Sequence, residues 1–504
     1  MWMLLLITFL QSPDSLSVRQ LANKTSNLIQ QPALADSFWG VVVYAPMRDR
    51  VLFEHQSGKN FRPASNMKIF TTLLGFEYLG PDFQYQTVIY HTGTLDEATG
   101  ILKGDLIIEG RGDPSLTGND TQLPFLTEHL LIAVIGELKA LGLREVQGDI
   151  WGVTGYFDEV SIQNSWEWDD IGSYYGTPVM ALSLNDSWVD VTLGADEIGT
   201  PFAAIHPTAS TMDVRFETSS VGAELDLEIQ RIWGTNQVVV KGTLPPCTQT
   251  TRTFSAWNSS QYFLDLFSAW ARQEGLLLRG QTRLSTHFPK ASRQLLTTID
   301  SPKFSTLAQR LMRESQNHYA DCVLKTVARE LTGEGSFEAG SRVAAEFLSS
   351  IYAHFNADKP TLLGITMRDG SGLSAQNYLK PQDLLHLLRY GLEQPYAEAW
   401  IATFPPLGTA GTLSRRGLEN SPAIGRVWAK TGYIYRSRTL SGYALTLAGE
   451  PLIFSIMTNN YSAMTTEING VQDHLCDLMV RLKPTRKVRS RLQSSPSILQ
   501  TQLP

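Results

Sequence analysis

Two side chains that could serve as a nucleophile and its base lie three residues apart in the segment Ser65-Asn66-Met67-Lys68. This spacing puts both on one face of a helix, and the dipole at a helix N-terminus favours developing negative charge. Burial would lower the pKa of the lysine, because it disfavours the cation, and a neutral amine can accept the serine proton. Taken alone, the segment also fits an N-cap serine beside a surface lysine.

A second pair of polar side chains occurs in Ser315-Gln316-Asn317. The helical pattern before this segment breaks there and restarts directly after it, which indicates an inter-helix loop whose side chains can point into a cleft. Simple capping of the second helix is the alternative interpretation. Ser183-Leu184-Asn185 has the same S-x-N pattern, but it lies among β-like runs without helical context, and we treat it as unrelated.

A cation and a hydroxyl stand side by side in Lys430-Thr431-Gly432, which is followed by Tyr433 inside a β-like run. Neighbouring side chains alternate faces on a strand, and a glycine leaves room for the backbone of a substrate to approach. The segment therefore suits the binding of a terminal carboxylate by strand addition, although a lone KTG tripeptide is also compatible with an ordinary strand end.

The three segments occur in one order, each on a suitable predicted element, which is hard to obtain by chance. The chemistry that they suggest requires no metal and no cofactor. The nine histidines have no HExxH spacing, and no phosphate-binding G-x-x-x-x-G-K-[ST] motif occurs. Net charge is −7, with Lys and Arg scattered along the chain, so nothing indicates nucleic-acid binding.

Several elements must position these segments. Residues 38–55 predict two strands joined by a turn, and Ser65 to Leu79 predicts a helix, because apolar residues recur there at helical spacing. Short β-like runs with frequent turns fill about Phe83 to His287. Helical periodicity returns near Ser305, three β-like runs follow in series, and a last amphipathic helix is expected near Thr465 to Leu482.

This order predicts an α/β fold of the multidomain α+β type, because the two early and three late strands can share one sheet only if the middle of the chain is an excursion. We expect a split catalytic domain formed by residues 26–90 and 288–483. Residues 91–287 would form one or two inserted β-rich domains. The polar tail at 484–504 is predicted to be disordered.

The first twelve residues contain an apolar run with the length of a signal-peptide core. It predicts that residues 1–25 are a signal segment and that the protein is exported to the periplasm, with at most peripheral membrane association. The first basic residue is Arg19, and no clear cleavage site follows, so a buried N-terminal helix turn is the alternative.

The set SNMK, SQN and KTG resembles the active-site signature of serine penicillin-binding proteins and β-lactamases. The wider pattern resembles the D-alanyl-D-alanine carboxypeptidase/endopeptidase family, the DacB-type penicillin-binding proteins, over about Phe38 to Leu482. The long gap between Lys68 and Ser315 is similar to that family, which inserts domains between its first two motifs. Further matching stretches are GDLIIEGRGDPSL (104–116), GDIWG with YFD (148–158), WEWDDIGSYYGTP (166–178), MRDGSGLSAQN (367–377) and AGTLSRR (410–416).

The resemblance implies a transpeptidase-like domain with a five-stranded antiparallel sheet flanked by helices. It also implies that Ser65 attacks the carbonyl of the penultimate D-alanine and forms an acyl-enzyme, with Lys68 as the general base. Ser315 would pass a proton to the leaving amine, and Asn317 would hydrogen-bond the acyl side of the substrate.

Substrate binding is implied in the same way. Lys430 and Thr431 would bind the terminal carboxylate, with Gly432 giving the substrate access to the strand. Backbone N–H groups of Ser65 and Tyr433 would hold the oxyanion, each donor contributing on the order of 3 kcal/mol to transition-state stabilisation.

The implied partners are peptidoglycan stem peptides as substrates and β-lactam antibiotics as inhibitors, with no nucleic acid. The balance between carboxypeptidase and DD-endopeptidase activity stays open. Two alternatives also stay open: a β-lactamase or esterase on the same fold, and a catalytically idle peptidoglycan-binding protein. The segment from Asp369 to Ser374 reads as a glycine-rich loop at the border of the cleft, without a chemical step assigned to it.

Overall fold

The computed structural model describes residues 15–116, 126–208, 212–220, 224–357 and 366–494. The helices are α1 (Val18–Ile29), α2 (Met67–Tyr78), α3 (Leu126–Ala140), α4 (Ser259–Gln273), α5 (Phe304–Arg310), α6 (Asn317–Thr332), α7 (Phe337–His354), α8 (Pro381–Glu393), α9 (Ala397–Ile401), α10 (Thr465–Val480) and α11 (Arg486–Ser494).

The strands of the first half of the chain are β1 (Phe38–Ala45), β2 (Arg50–His55), β3 (Gln86–Thr92), β4 (Thr94–Asp96), β5 (Ile101–Lys103), β6 (Leu106–Glu109), β7 (Glu145–Val146), β8 (Ile150–Val153), β9 (Trp188–Ala195) and β10 (Pro201–His206). The later strands are β11 (Asp213–Ser219), β12 (Asp226–Arg231), β13 (Gln237–Thr243), β14 (Gln249–Ser255), β15 (Leu277–Leu278), β16 (Thr282–Ser285), β17 (Arg293–Asp300), β18 (Val427–Ile434), β19 (Ser437–Leu445) and β20 (Pro451–Asn459).

A five-stranded sheet with the order β18-β19-β20-β1-β2 forms the centre of the catalytic half, and all four of its pairings are antiparallel. Helices cover both faces, so β1 and β20 are almost fully buried. Val42 and Tyr44 pack into the cluster on one face, whereas Val41 and Val43 pack into the cluster on the other, as the period of two in a strand requires. The predicted fold class is confirmed.

Helix α2 lies inside the helical layer of this half, against α6, α7 and α8. Every residue from Met67 to Phe76 is buried, which fits the apolar composition of the segment apart from Lys68 and two threonines. A helix surrounded on all sides by apolar neighbours fixes the position of its N-terminus. The start of α2 is therefore a rigid place for reactive side chains.

The middle of the chain folds around a separate hydrophobic cluster that includes α3 and α4. Its sheets have the orders β16-β8-β6-β3-β17, β15-β7-β5-β4, β10-β9-β14 and β11-β13-β12. The chain leaves and re-enters the catalytic half at neighbouring points, since the Tyr85 N–H donates to the Ser301 hydroxyl at 2.9 Å.

The domain boundaries in the structure differ from those expected from the sequence. Strands β3 and β17 pair with each other inside the largest sheet of the middle region, from Gln86↔Asp300 to Thr92↔Arg293. The expected limit at residue 90 therefore lies inside β3, and the limit at residue 288 lies between β16 and β17 of the same sheet, so we propose that the change of domain is near residues 85 and 301. Because β-like runs occur on both sides of each expected limit, local sequence patterns could not show that β3 and β17 belong to the middle region.

Both ends of the described chain contain helices that the sequence prediction did not anticipate. Helix α1 buries Leu21 and Ile29 against the same cluster as α10, so residues 18–25 of the expected signal segment are part of the catalytic half. Helix α11 replaces the first part of the expected disordered tail, because its one buried apolar residue, Val488, anchors an otherwise polar helix. The apolar run at residues 1–12 and the tail from residue 495 lie outside the described residues. Among the helices described, none is long and apolar enough to cross a membrane.

Candidate active site

Ser65 lies in a short 3₁₀ turn, Ala64–Asn66, that leads directly into α2. Ala64 has a left-handed conformation with φ of 47°, so the chain reverses sharply before the serine. Gly372 passes so close to this turn that a Cβ atom built on it would lie 1.8 Å from the Ala64 carbonyl oxygen. Only glycine fits there, and the close contact holds the half-buried Ser65 at the surface of the cleft.

Lys68 is fully buried one turn after the serine. Its Nζ atom lies 2.9 Å from the Ser65 hydroxyl oxygen, 2.6 Å from Asn317 Oδ1 and 2.6 Å from the Ser371 carbonyl oxygen. Burial lowers the pKa of Lys68 to about 8, although the carboxylates of Asp321 and Asp369 oppose this shift. The neutral fraction of this amine near physiological pH is therefore far larger than that of an ordinary lysine, although the cation still predominates.

The glycine-rich loop at residues 369–374 supplies the third contact of Lys68. Asp321 Oδ1 accepts from the N–H groups of Gly370 and Ser371 at 2.7 and 3.0 Å, which aims the Ser371 carbonyl at the lysine. Asp369 accepts from four donors: Gly372 N, Ser374 N, Asn377 Nδ2 and Trp166 Nε1. The loop is thus a rigid support of the Lys68 amine.

Ser315 is placed by a change in helix type. The chain between α5 and α6 forms a π-helical turn, Leu311–Ser315, and Ser315 has a left-handed φ of 65°. Its hydroxyl oxygen accepts from Lys430 Nζ at 2.8 Å. Burial lowers the pKa of Lys430 well below its ordinary value, and the positive charges of Lys68 and Arg438 act in the same direction.

Asn317 is the first residue of α6 and uses both ends of its amide. Its Oδ1 atom accepts from Lys68, and its Nδ2 atom donates to the Tyr175 carbonyl oxygen at 2.8 Å. Tyr175 belongs to a segment of the middle region that folds over the catalytic half. The amide therefore joins the nucleophile side of the cleft to the inserted domain.

The edge strand β18 approaches the start of α2 very closely. A Cβ atom on Gly432 would lie 3.0 Å from the Ser65 amide nitrogen and 2.2 Å from Thr439 Oγ1, so the position requires glycine. Asn66 Nδ2 donates to the Lys430 carbonyl oxygen at 2.7 Å and ties the strand to the same turn. These contacts fix the distance between the serine and the strand.

The two residues that flank Gly432 differ in exposure. Thr431 is buried, and its hydroxyl donates to Thr412 Oγ1 at 2.8 Å. The Tyr433 side chain is 53% exposed, and the Arg438 guanidinium lies over its ring at 5.5 Å. The structure thus brings together Ser65 and the side chains or backbone of all other residues predicted for the site: Lys68, Ser315, Asn317, Lys430, Thr431, Gly432 and Tyr433.

Four groups in this cleft were not assigned a role from the sequence: the carbonyls of Ser371 and Tyr175, the Thr412 hydroxyl and the Asp321 carboxylate. Three of them come from the stretches DGSG, WEWDDIGSYYGTP and AGTLSRR. The resemblance of these stretches to the family was the one sign in the sequence that they lie at the site. Asp321 lies four residues after Asn317 on α6, so helical spacing from the SQN segment could have indicated it. By contrast, the Ser183 hydroxyl and the Asn185 amide donate to carbonyls within their own loop.

Nothing in the described part of the chain groups three or more His, Cys, Asp or Glu side chains as metal ligands. The site instead offers a hydroxyl beside an amine of lowered pKa, and a second buried amine beside a second hydroxyl. This arrangement can remove a proton from Ser65 and return one through Ser315, which is the requirement of acyl transfer through a covalent intermediate.

A central helix that follows Ser65 directly, packed behind an antiparallel sheet whose edge strand carries Lys430, defines the class of the penicillin-recognising serine hydrolases. Residues 21–478 match the D-Ala-D-Ala carboxypeptidase 3 (S13) family, and the chain belongs to this family of serine peptidases. The family predicted from the motifs is confirmed, as is its enzymatic class, a serine-type D-Ala-D-Ala carboxypeptidase.

Relatives match over most of their length. The chain is 29% identical over 455 residues to a D-alanyl-D-alanine carboxypeptidase of Actinomadura sp. (strain R39), covering 86% of this chain and 80% of the relative. It is 24% identical over 458 residues to the D-alanyl-D-alanine carboxypeptidase DacB of Haemophilus influenzae, covering 89% and 91%.

The fold matches that of solved structures. The crystal structure of penicillin binding protein 4 (dacB) from Haemophilus influenzae superposes with a TM-score of 0.77 at 24% identity, covering 90% of this chain and 99% of that one. A second structure of that protein, complexed with a novel β-lactam, gives a TM-score of 0.74 at 23% identity, with coverage of 90% and 99%.

Proposed function

We propose that Ser65 is the nucleophile of this carboxypeptidase and that Lys68 is its general base. The observation that carries the proposal is the 2.9 Å contact between Lys68 Nζ and the Ser65 hydroxyl oxygen, made by a fully buried amine. The neutral amine takes the hydroxyl proton while the Ser65 oxygen bonds to the carbonyl carbon of the penultimate D-alanine. The N–H groups of Ser65 and Tyr433 receive the developing oxyanion.

Ser315 and Lys430 then act on the leaving group. The bond between the carbonyl carbon and the nitrogen of the terminal D-alanine breaks, and the Ser315 hydroxyl gives its proton to that nitrogen. The Ser315 oxygen takes up the proton that Lys68 removed from Ser65, so Lys68 is neutral again, while Lys430 holds the Ser315 hydroxyl by donating to it at 2.8 Å. Free D-alanine leaves, and an acyl group remains on Ser65.

Recognition of the substrate follows from the edge strand. The terminal carboxylate binds to Thr431 and Lys430, with Thr412 completing the pair of hydroxyls at 2.8 Å. Gly432 lets the peptide lie against β18, and Asn317 donates from its amide to the acyl side. Water enters after the D-alanine has left and hydrolyses the ester, with Lys68 again as the base.

The substrate class is the stem peptide of peptidoglycan, and β-lactam antibiotics acylate the same serine as inhibitors. Support comes from the family, and from penicillin binding protein 4 of Haemophilus influenzae, which was crystallised in complex with a β-lactam. The place of action is the cell wall, so the protein is exported to the periplasm.

The test is intact-mass spectrometry after incubation with benzylpenicillin, followed by peptide mapping. We expect a stable penicilloyl mass on Ser65, no adduct in Ser65→Ala, and an unchanged adduct in the control Ser305→Ala, which alters a half-buried serine on α5. Release of D-alanine from diacetyl-L-lysyl-D-alanyl-D-alanine should be lost in Ser65→Ala and kept in Ser305→Ala. Hydrolysed antibiotic without an adduct would indicate a β-lactamase, and intact antibiotic without an adduct would indicate an idle scaffold.

A further inference from the structure

Three tryptophans of the inserted domain form an exposed aromatic surface, here called the aromatic platform: Trp168, Trp233 and Trp257. The ring centroids of Trp168 and Trp233 are 3.7 Å apart with 25° between the planes, and Trp257 packs edge-on against Trp233 at 5.0 Å. Trp168 is 66% exposed and Trp233 is 43% exposed. Large aromatic surface left in water at one place is typical of an interaction site.

The aromatic platform is held in place by a half-buried guanidinium. Arg231, at the end of β12, donates to the Gly172 carbonyl oxygen at 3.2 Å and to the Ser255 carbonyl oxygen. It also donates to the carbonyl oxygen of Thr235 at 3.1 Å and to Asn236 Oδ1 at 3.0 Å. These bonds join the β12–β13 turn, which carries Trp233, to the segment that carries Trp168. A preformed surface binds a ligand without the cost of ordering loops.

The segment that carries Trp168 is anchored to the catalytic half on both sides of that residue. Trp166 Nε1 donates to Asp369 Oδ2 at 2.8 Å, and the Tyr175 carbonyl oxygen accepts from Asn317 Nδ2 at 2.8 Å. Asn317 is the residue proposed to hold the acyl side of the peptide, so the segment that carries Trp168 borders the cleft on that side. In peptidoglycan, the acyl side of the stem peptide leads to the glycan strand.

We propose that the aromatic platform binds the glycan strand of peptidoglycan, a chain of β-1,4-linked N-acetylated hexosamines. The flat C–H face of a pyranose ring matches the electron-rich face of an indole, as edge hydrogens match ring faces between aromatic side chains. Exposed carboxylates of Glu167 and Asp169 flank Trp168 and can accept from sugar hydroxyls and acetamido N–H groups.

This inference rests on the proposed function, since it extends the same substrate beyond its peptide. The test measures how fast the full-length protein cleaves two substrates: a free stem pentapeptide, and the same pentapeptide attached to its disaccharide. For Trp168→Ala and Trp233→Ala we expect kcat/KM on the glycan-attached substrate to fall about tenfold. Cleavage of the free pentapeptide and acylation by benzylpenicillin stay unchanged. The control is Ile198→Ala, which removes another exposed apolar side chain of the inserted domain.

A direct binding measurement separates this proposal from the catalytic one. Saturation-transfer NMR with the tetramer of β-1,4-linked N-acetylglucosamine should show contact with the wild type and with Ser65→Ala, and no contact with Trp168→Ala. Failure of the catalytic proposal would remove the penicillin adduct and leave this signal. Equal losses on both substrates, no loss on either, or retained tetramer binding in both tryptophan variants would overturn the glycan proposal. The proposal would also be overturned if the tryptophan variants kept sugar binding but lost binding to anionic phospholipid vesicles or lost self-association.

Discussion

Lys68 Nζ lies 2.9 Å from the Ser65 hydroxyl oxygen and has no exposure to solvent. The chain builds this contact by burying an amine at the start of an apolar helix and giving it three acceptors: the Ser65 hydroxyl, the Asn317 amide oxygen and the Ser371 carbonyl. Burial makes the cation costly, whereas the nearby carboxylates of Asp321 and Asp369 favour it, and the balance leaves the pKa of the lysine at about 8.

The pH dependence of acylation follows from this value. Only neutral Lys68 accepts the serine proton, so the second-order rate of acylation by benzylpenicillin should fall about tenfold per pH unit below pH 8 and level off above it. A stopped-flow pH series on the wild type measures this limb. Lys68→Arg keeps the positive charge at every pH and should lower the plateau by about 10²- to 10⁴-fold. Lys139→Arg in the inserted domain is the matched control, and a rate independent of pH between 6 and 9 would contradict the assignment.

Asp321 should influence the pH at which the acylation rate begins to fall. An asparagine at this position can still accept the N–H groups of Gly370 and Ser371, but it removes a negative charge that raises the pKa of Lys68. We therefore expect Asp321→Asn to move the acid limb of the acylation profile to lower pH, with little change in the plateau. An unmoved limb would indicate that Asp321 is protonated throughout the range, in line with the direction in which burial shifts its own pKa.

Gly432→Ala should separate the edge strand from the serine. Its Cβ atom would lie 2.8 Å from the Pro63 carbonyl oxygen and 3.0 Å from the Ser65 amide nitrogen, so β18 must shift. We expect loss of one oxyanion donor, with acylation slower by about 10²- to 10³-fold. Gly470→Ala, on α10 with open space around it, is the control and should leave acylation unchanged. Equal rates in the wild type and Gly432→Ala would argue against a close role for this strand.

Thr431→Val tests recognition of the terminal carboxylate. The change keeps the shape of the side chain but removes the hydroxyl that now donates to Thr412. A hydrogen bond to a charged group contributes about 1.5–3 kcal/mol, so kcat/KM for a peptide ending in D-alanine should fall by about ten- to a hundredfold. The same peptide with a C-terminal amide should be affected much less. If both peptides lose activity equally, Thr431 does not bind the carboxylate.

The junction between the two halves offers a stability prediction. Lys325 on α6 is fully buried and donates to Asp158 at 2.7 Å and to the Val160 carbonyl oxygen at 2.8 Å. Lys325→Met should lower the free energy of unfolding by about 1.5–3 kcal/mol, because two charge-assisted bonds are lost. Urea unfolding followed by circular dichroism measures it. Exposed Lys303→Met is the control, since its pair with Asp82 is solvated and should contribute less than about 1 kcal/mol.

Much of the site could be predicted from sequence because its side chains sit in short segments with strong local signals. Ser65 and Lys68 lie three residues apart at the start of one helix, Ser315 and Asn317 flank a break between two helices, and Lys430 lies in a clear β run. Local periodicity therefore located each segment, and family resemblance supplied the pairing between them.

Groups that act through their backbone escaped the prediction. The carbonyls of Ser371 and Tyr175 reach the cleft because their loops are bent toward it, and a carbonyl has no sequence signature. The same holds for the domain boundary: strands β3 and β17 find each other across nearly the whole inserted region, and a pairing at that separation cannot be read from local patterns. Helix α11 was missed because a single buried valine, Val488, decides its position.

The strand order of the central sheet has a consequence during synthesis. Strand β1 pairs with β20, so one long edge of the first hairpin has no partner until about 400 further residues have been made. At about 5–20 residues per second, the nascent hairpin waits roughly 20–80 s with its valine-rich edge unpaired. Such an edge is a template for wrong pairing. The inserted domain can fold during this delay, and the cleft closes around Ser65 only when the last third of the chain has left the ribosome.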